Sequence, residues 1–224
     1  MMEPKHAVGI PLERLAKWDP DIEEHLRCTE NGLFEQVLGE VVAALDDGGA
    51  EYVLMGGIAS TGLGRPRWTH DIDVFVRPTG ADRALDALAA AGFETERTDP
   101  AWLFKGFKHG VLVDVIFHST GGFYLDDEML ARSVERQFLG HRLRLIAPED
   151  LLVIKAAVHD EHGPRHWHDA LGVIGVNDLD WDYLLRRARR APRRVLSLLV
   201  YAHSLDINVP NHVVRELYRQ IYES

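Results

Sequence analysis

Two aspartates, Asp71 and Asp73, lie one residue apart in the otherwise apolar run DIDVFV. On a β-strand, residues i and i+2 point to the same side, so both carboxylates face one way while Ile72 and Val74 face the other. Adjacent anions repel each other and lose hydration when buried, so a cation is expected between them. Carboxylate oxygens suit Mg²⁺, which proteins bind through one or two carboxylates together with substrate phosphates.

A third acid, Asp114, lies alone in a second apolar run, VLVDVIF. If that run is a neighbouring strand, Asp114 would complete a metal site with Asp71 and Asp73. The alternative is that the Asp-x-Asp pair lies in a solvated turn at the end of a strand and binds nothing. Asp114 favours the metal site, because a charge without a partner is rare in a buried strand.

A glycine pair, Gly56-Gly57, follows the apolar run YVLM and precedes IASTGL, which could begin a helix. Glycine lets the backbone approach a ligand closely, and amides at the start of a helix hold anions. The segment lacks the Gly-Lys-Ser/Thr of a Walker phosphate loop, and GLGRPR lacks the third glycine of the dinucleotide-binding fingerprint. The glycines therefore favour a phosphate site of another type beside the acids.

Composition limits the classes of protein that remain. The 224 residues are 46 % apolar and 27 % charged, which is typical of a globular domain with room for an appendage. No apolar run approaches the ~20 residues of a membrane span, and the N-terminus does not resemble a signal peptide. The single Cys28 fits a reducing compartment, so we expect a cytoplasmic protein without a membrane partner. The net charge of -10 argues against general nucleic-acid binding, although local patches can differ.

Hydrophobic periodicity predicts the elements that position these residues. Strands are expected at EYVLMGG, at DIDVFV, as a pair joined by a turn at 108–110, and as a hairpin around Gly140. The spacing predicts helices over 11–17, 33–45, 79–91, 125–134, 149–159, 165–174, 181–190, 193–205 and 213–222. The expected organisation is an N-terminal extension (1–32), an α/β core (33–147) and a helical C-terminal region (148–224).

The order of an apolar strand, Gly56-Gly57, a gap of thirteen residues, Asp71-Ile72-Asp73 and a distant Asp114 resembles the DNA polymerase β type nucleotidyltransferase superfamily. The resemblance is close over about 50–120. The run Arg67-x-Thr69-x-Asp71-Ile72-Asp73 also resembles the bacterial minimal and abortive-infection-type members. The implied fold is of the α+β class, with a small mixed β-sheet backed by helices and followed by a helical region.

The resemblance implies an enzyme that transfers a nucleoside monophosphate from an NTP to an acceptor hydroxyl and releases pyrophosphate, with Mg²⁺, or alternatively Mn²⁺, as cofactor. Asp71 and Asp73 would hold the metal on the triphosphate, and Asp114 would share a second metal and could accept a proton. The expected nucleotide contacts are Gly56, Gly57, Arg65, Arg67 and Thr69. Alternatively, the two arginines lie in a solvated loop and Thr69 only favours the strand.

The same resemblance extends to two residues of the helical region, Lys155 and Asp169. Lys155 would contact phosphate, and Asp169 would orient it or assist at the acceptor. The pattern departs from the subgroup, because His159-Asp160 replaces an arginine element and His166 replaces a first aspartate. The alternative is a lysine whose stem lies on an apolar face and an aspartate that caps a helix.

Four histidines lie close together in HDEHGPRHWHD, namely His159, His162, His166 and His168. Their spacing matches no common zinc site and no cysteine is near, so a zinc centre is not predicted. Contacts with phosphate, a base or solvent are the expected roles. Trp167 could stack on a base, although a place in the core is the more common use of tryptophan.

A basic cluster in LLRRARRAPRR is the candidate RNA-binding surface, against the alternative of a helical corner paired with acids. Its members are Arg186, Arg187, Arg189, Arg190, Arg193 and Arg194. The cluster favours an RNA acceptor such as tRNA, as in a toxin with a cognate antitoxin or a phage-defence enzyme. The acidic net charge favours the alternative of a small cationic acceptor, such as an aminoglycoside or lincosamide antibiotic. A third alternative is a non-catalytic nucleotide-binding module of the same fold.

Overall fold

The computed structural model describes residues 32–67, 69–160 and 164–223. Seven strands occupy Tyr52–Leu54 (β1), Asp71–Val76 (β2), Glu94–Asp99 (β3), Leu103–Lys108 (β4), Val111–Ile116 (β5), Val134–Phe138 (β6) and His141–Leu145 (β7). The helices of this part of the chain are Leu33–Asp47 (α1), Gly56–Gly62 (α2), Ala81–Ala90 (α3), Asp127–Ala131 (α4), Pro148–Val158 (α5), Arg165–Val176 (α6), Trp181–Ala188 (α7), Pro192–Ser204 (α8) and Asn211–Tyr222 (α9).

The strands form one mixed sheet in the order β3-β4-β5-β2-β1-β7-β6. Parallel pairing joins β2 to β5 and β1 to β7, and the other neighbours pair antiparallel. The register places Asp73 directly beside Asp114, and Asp114 directly beside Lys105. The central strands therefore bring the acids of two distant segments into one row.

Helices α1 and α3 pack on one face of the sheet. Gly106 of β4 lies against Leu88 of α3, while Ile72 and Val74 are fully buried in the same layer. The opposite face carries the three acids, and α2, α5 and α6 pack together beside it. One buried apolar cluster includes side chains of the sheet and of the helices that follow it.

The predicted α+β class and mixed sheet are confirmed. β3 was not expected from the sequence, because its residues ETERTD are mostly exposed at the edge of the sheet and show no apolar alternation. The helix expected over 125–134 is shorter, since Asp126 caps it and Val134 already belongs to β6. Among the described residues, the last strand ends at Leu145, shortly before the predicted division of the chain at 147/148. The buried apolar cluster crosses this division, so the division stays a prediction.

Several expectations fall outside the described residues. These are most of the N-terminal extension 1–32 with its helix over 11–17, Cys28, and His162. Within the described residues, no helix is both long enough and apolar enough to span a membrane.

Candidate active site

The two acid-bearing strands bring Asp71, Asp73 and Asp114 together. Each offers a carboxylate oxygen, and the three oxygens lie within 4.8 Å of one another. The Thr69 hydroxyl donates a hydrogen bond to the Asp71 carboxylate at 2.6 Å and so orients it. Thr69 is thus placed as a support of the acid cluster, where a nucleotide contact had been predicted.

Burial and neighbouring carboxylates raise the pKa of Asp73 and of Asp114. Burial is the main cause for Asp73, and the charges of Asp71 and Asp114 add to it, so that its pKa rises to about 6. Burial also raises the pKa of Asp114, against the lowering effect of Lys105, whose Nζ lies 3.3 Å from Asp114 Oδ1. A divalent cation between these oxygens would remove the repulsion, and an all-carboxylate donor set fits Mg²⁺. The residues present therefore fit the metal that was predicted.

The glycine pair begins α2 and packs directly against the acid cluster. Gly56 has a φ of 59°, and a Cβ at this position would overlap the Asp73 carboxylate. The Met55 amide donates to the Asp73 carbonyl at 2.9 Å, and the Gly57 amide donates to the Asp73 side chain. A Cβ on Gly57 would overlap Thr69. Glycine is required here for close approach of the backbone to the acids.

A second charged cluster lies beside the first, around the fully buried Asp169. Its carboxylate accepts hydrogen bonds from Lys155 at 2.6 Å, Arg65 at 2.6 Å and Arg67 at 3.0 Å, and from the Ser60 hydroxyl at 3.2 Å. Burial alone would raise the pKa of Asp169, but the charges of Lys155 and Arg67 lower it to about 2. Asp169 is therefore an anion enclosed by cations.

This enclosure changes the predicted roles of three residues. Arg65 and Arg67 do not lie in a solvated loop, because both bind Asp169 and hold the loop before β2 against α6. Asp169 has no exposed surface with which to touch an acceptor, so of the two predicted roles it fits orienting Lys155. Lys155 is 4 % exposed, and burial lowers its pKa while Asp169 opposes that shift.

A cleft of about 620 Å³ opens over the acid cluster. Lys155, Arg67 and the glycine pair line one side of it. Residues that the sequence did not single out line the rest, namely Trp102, Ile116, His118, Ser119, Thr120 and Arg165. The polar loop 118–120 follows β5, the strand that carries Asp114. Its position after an acid-bearing strand is the feature of the sequence that could have pointed to these cleft residues.

The histidine-rich segment borders the cleft through His166. Burial, together with the charges of Lys155 and Arg165, lowers the pKa of His166 to about 4, so the ring is neutral at physiological pH. His159 stacks on Trp167 with ring centroids 4.7 Å apart, and Trp167 also contacts Tyr201 at 5.4 Å. Trp167 is half-buried and packs on the apolar cluster, in agreement with the core alternative.

The prediction that the basic cluster is an RNA-binding surface is wrong for Arg187. Arg187 is buried, with ion pairs of 2.6 Å to both Asp126 and Asp150, so it cannot bind RNA. Arg186 pairs with Glu128 at 2.8 Å, and Arg190 donates to the Gly122 carbonyl. These contacts tie α7 to the chain that follows β5. Arg189, Arg193 and Arg194 are exposed, and a role for them in RNA binding stays a prediction.

Comparison with known proteins identifies the family. Residues 34–170 match the family described as nucleotidyl transferase of unknown function (DUF2204). The chain belongs to this family. The predicted nucleotidyltransferase class and the expectation of an enzyme are thereby confirmed. Among proteins of curated function, none matches the sequence significantly.

Structural comparison finds nucleotidyltransferases among the matching solved structures, at low sequence identity. The solution structure of antibiotic-resistance factor ANT(2'')-Ia is 15 % identical, covers 86 % of this chain and 95 % of its own, and has a TM-score of 0.46. The lincomycin-bound lincosamide antibiotic adenylyltransferase LnuA is 14 % identical over 66 % of this chain and 98 % of its own, with a TM-score of 0.47. A nucleotidyltransferase-like protein from Paracoccidioides brasiliensis is 17 % identical over 80 % of this chain and 95 % of its own, with a TM-score of 0.47.

Proposed function

We propose that this nucleotidyltransferase transfers a nucleoside monophosphate from an NTP to a hydroxyl at the end of an RNA. The observation that carries the proposal is the cluster of Asp71, Asp73 and Asp114, whose carboxylate oxygens lie within 4.8 Å of one another beside a cleft. Family membership supports the transfer reaction, and the charges of the cleft support the acceptor.

In the reaction, the acceptor oxygen forms a bond to the α-phosphorus of the NTP. The bond from that phosphorus to the oxygen bridging the α- and β-phosphates breaks, and pyrophosphate leaves with its electron pair. The acceptor hydroxyl gives up its proton, and Asp114 is the carboxylate that we propose takes it. When bound, Mg²⁺ supplies charge stabilisation for the attacking and leaving oxygens.

The residues of the chain position the two substrates. Asp71 and Asp73 would hold the cation that neutralises the triphosphate, and the hydrogen bond from Thr69 keeps Asp71 oriented. Lys155 presents its ammonium to the triphosphate side of the cleft, held there by Asp169. Arg67 lines the same side and adds positive charge to it. The predicted contact of the Gly57 amide with phosphate requires that amide to be shared with Asp73, to which it already donates.

The charges of the cleft favour an anionic acceptor. Among the described residues that line it, the acids are Asp71 and Asp73, which would hold the metal, and the cations are Arg67, Lys155 and Arg165. Arg67 and Lys155 pair with Asp169 on the triphosphate side, so of these described cations Arg165 is the one left to contact the acceptor. A cationic antibiotic would need further carboxylates to bind its amines. An RNA end carries phosphates that suit Arg165, so RNA is the proposed acceptor, and the predicted toxin role with a cognate antitoxin depends on it.

The test is transfer of label from α-labelled NTPs to total RNA and, in parallel, to a panel of aminoglycosides and lincosamides. Each of the four NTPs is supplied with Mg²⁺ or Mn²⁺. We expect label on RNA with the wild type and none with Asp71→Asn. Label on a drug alone would overturn the RNA acceptor while leaving nucleotidyl transfer intact. Label on no acceptor, with no Mg²⁺-dependent NTP binding in a thermal-shift series, would support the non-catalytic alternative.

A further inference from the structure

A lysine on β4 lies next to the acid cluster on the side away from the phosphate-binding groups. The sheet register runs from Asp73 to Asp114 to Lys105, so the three side chains form one row across β2, β5 and β4. Lys105 Nζ lies 3.3 Å from Asp114 Oδ1, and the side chain is 24 % exposed. Lys105 is therefore a partly exposed cation in direct contact with Asp114, the acid that we propose accepts the proton of the acceptor hydroxyl.

The groups that bind the triphosphate lie at the other end of this row. Gly56 and Gly57 follow β1, which neighbours β2, and Lys155 contributes to the field at Asp73. In the sheet order, β5 and β4 lie on the opposite side of β2 from β1. A substrate that reaches Asp114 without displacing the nucleotide must therefore approach over β5 and β4, where Lys105 stands.

The surface around Lys105 is open. Gly106 faces α3, so its neighbours Lys105 and Phe107 face the opposite side of the sheet, which α1 and α3 do not cover. Phe107 is 39 % exposed, and Trp102, at the rim of the cleft, is 44 % exposed. The partly exposed side chain of Lys105 therefore faces the side of the sheet that α1 and α3 leave uncovered.

We propose that Lys105 determines acceptor specificity by binding a phosphate of the acceptor next to the reacting hydroxyl. This inference rests on the proposed function. The terminal hydroxyl of an RNA strand is one sugar away from a phosphate, so a hydroxyl at Asp114 places that phosphate beside Lys105. Glu96 stands opposite Lys105 in the register of β3 and is exposed, while Asp114 is the acid that Lys105 contacts. Asp71, Asp73 and Asp114 would hold a cation that neutralises Asp114, and the Lys105 ammonium would then be available to the acceptor phosphate.

The experiment compares Lys105→Gln and Lys105→Arg with a matched control on the same strand, Lys108→Gln. Lys108 pairs with Glu40 at 2.6 Å and donates to the Ala91 carbonyl, away from the cleft. Binding of a fluorescent RNA oligonucleotide that ends in a 3′-deoxy nucleotide is measured over a series of salt concentrations with Mg²⁺. Thermal shifts with Mg²⁺ and the preferred NTP report the nucleotide site separately.

We expect Lys105→Gln to weaken RNA binding about tenfold, and to reduce the slope of log affinity against log salt by about 0.7, the value for one phosphate contact on a single strand. Lys105→Arg should restore most of the affinity, and Lys108→Gln should match the wild type. The NTP-induced thermal shift of Lys108→Gln should match the wild type, and the shifts of the two Lys105 variants show separately whether the metal site at Asp114 is affected.

Two results would overturn the inference. If Lys105→Gln leaves RNA affinity and its salt slope unchanged and only alters the Mg²⁺ concentration needed for NTP binding, Lys105 serves Asp114 alone. If the slope changes equally in Lys108→Gln, the effect is one of overall charge. A wild type that labels no RNA at all is a different outcome, because it removes the proposed acceptor rather than the role of Lys105 within it.

Discussion

Two charged clusters lie side by side in this enzyme, and their carboxylates have opposite surroundings. Asp71, Asp73 and Asp114 face one another, and the pKa of Asp73 is raised to about 6. Asp169 is enclosed by Lys155 and two arginines, and its pKa is lowered to about 2. Among the described residues, Lys105 beside Asp114 forms the one ion pair of the first cluster, which lacks a cation that binds all three of its carboxylates. In the second cluster, three cations of the chain surround the single carboxylate of Asp169. The difference separates carboxylates that are available to a metal from a carboxylate that holds cations of the chain in place.

The largest expected effect is on catalysis, in the cluster that lacks a shared cation. Asp73→Asn should lower the rate of nucleotidyl transfer by at least roughly a thousandfold, because a metal ligand and its charge are lost. Its free energy of unfolding should equal or exceed that of the wild type, since repulsion among the acids is relieved. Pyrophosphate release and urea denaturation measure the two quantities. Asp47→Asn, at an exposed residue at the end of α1, is the control and should change neither.

The second effect is on stability, in the cluster that supplies its own cations. Asp169→Ala leaves Lys155, Arg65 and Arg67 without their shared anion, so the free energy of unfolding should fall by about 3–5 kcal/mol. Urea denaturation measures the loss, with Asp178→Ala at an exposed site as the control. A loss below about 1 kcal/mol would show that the two clusters do not differ in the way their charges indicate.

A third prediction extends the comparison to the basic cluster of α7 and α8. Arg187→Gln breaks two pairs with acids, of which Asp150 is fully buried, and should cost about 3 kcal/mol of unfolding free energy. Arg194→Gln, at an exposed residue, should stay within about 0.5 kcal/mol of the wild type. Thermal unfolding of both variants and the wild type measures these differences in stability. Equal destabilisation by the two would contradict the structural role assigned to Arg187.

The smallest effect is the response of Asp169 to acid. A carboxyl whose pKa is lower in the folded state stabilises the protein above its unfolded pKa of about 3.9 and loses that contribution as the pH falls through about 2. The shift corresponds to about 2 kcal/mol at neutral pH. The stability difference between the wild type and Asp169→Asn should therefore be constant from pH 7 to about pH 5 and shrink below pH 4. A difference that grows on acidification would have the wrong sign.

The acid cluster could be predicted from the sequence because strand geometry alone places its members. The two-residue spacing of Asp71 and Asp73 fixes a common face, and an acid in a second apolar run implied a neighbouring strand. The register of β2 and β5 then places Asp114 directly beside Asp73, which completes the cluster. What failed was the edge strand β3, where exposure removes the apolar alternation on which such predictions depend.

The enclosed cluster could not be derived from spacing in the same way. Arg65 and Arg67 lie more than 100 residues from Asp169 in the chain, and only the packing of α2 and α6 brings them together. The same limit applies to Arg187, whose burial depends on how α7 meets Asp126 and Asp150. A run of arginines in a sequence does not reveal which members face the interior, so ion pairs of the fold are read as free surface charge.

The two edges of the sheet have a consequence for association between molecules. An unpaired edge strand offers backbone amides and carbonyls on which another chain can add a strand, and charged side chains discourage this. β3 carries Glu94, Glu96 and Arg97, and β6 carries Glu135 and Arg136. Both ends of the sheet are thus protected against strand addition and aggregation. A protein of this design can keep the open face beside its acids accessible at high concentration, because its sheet does not extend from one molecule to the next.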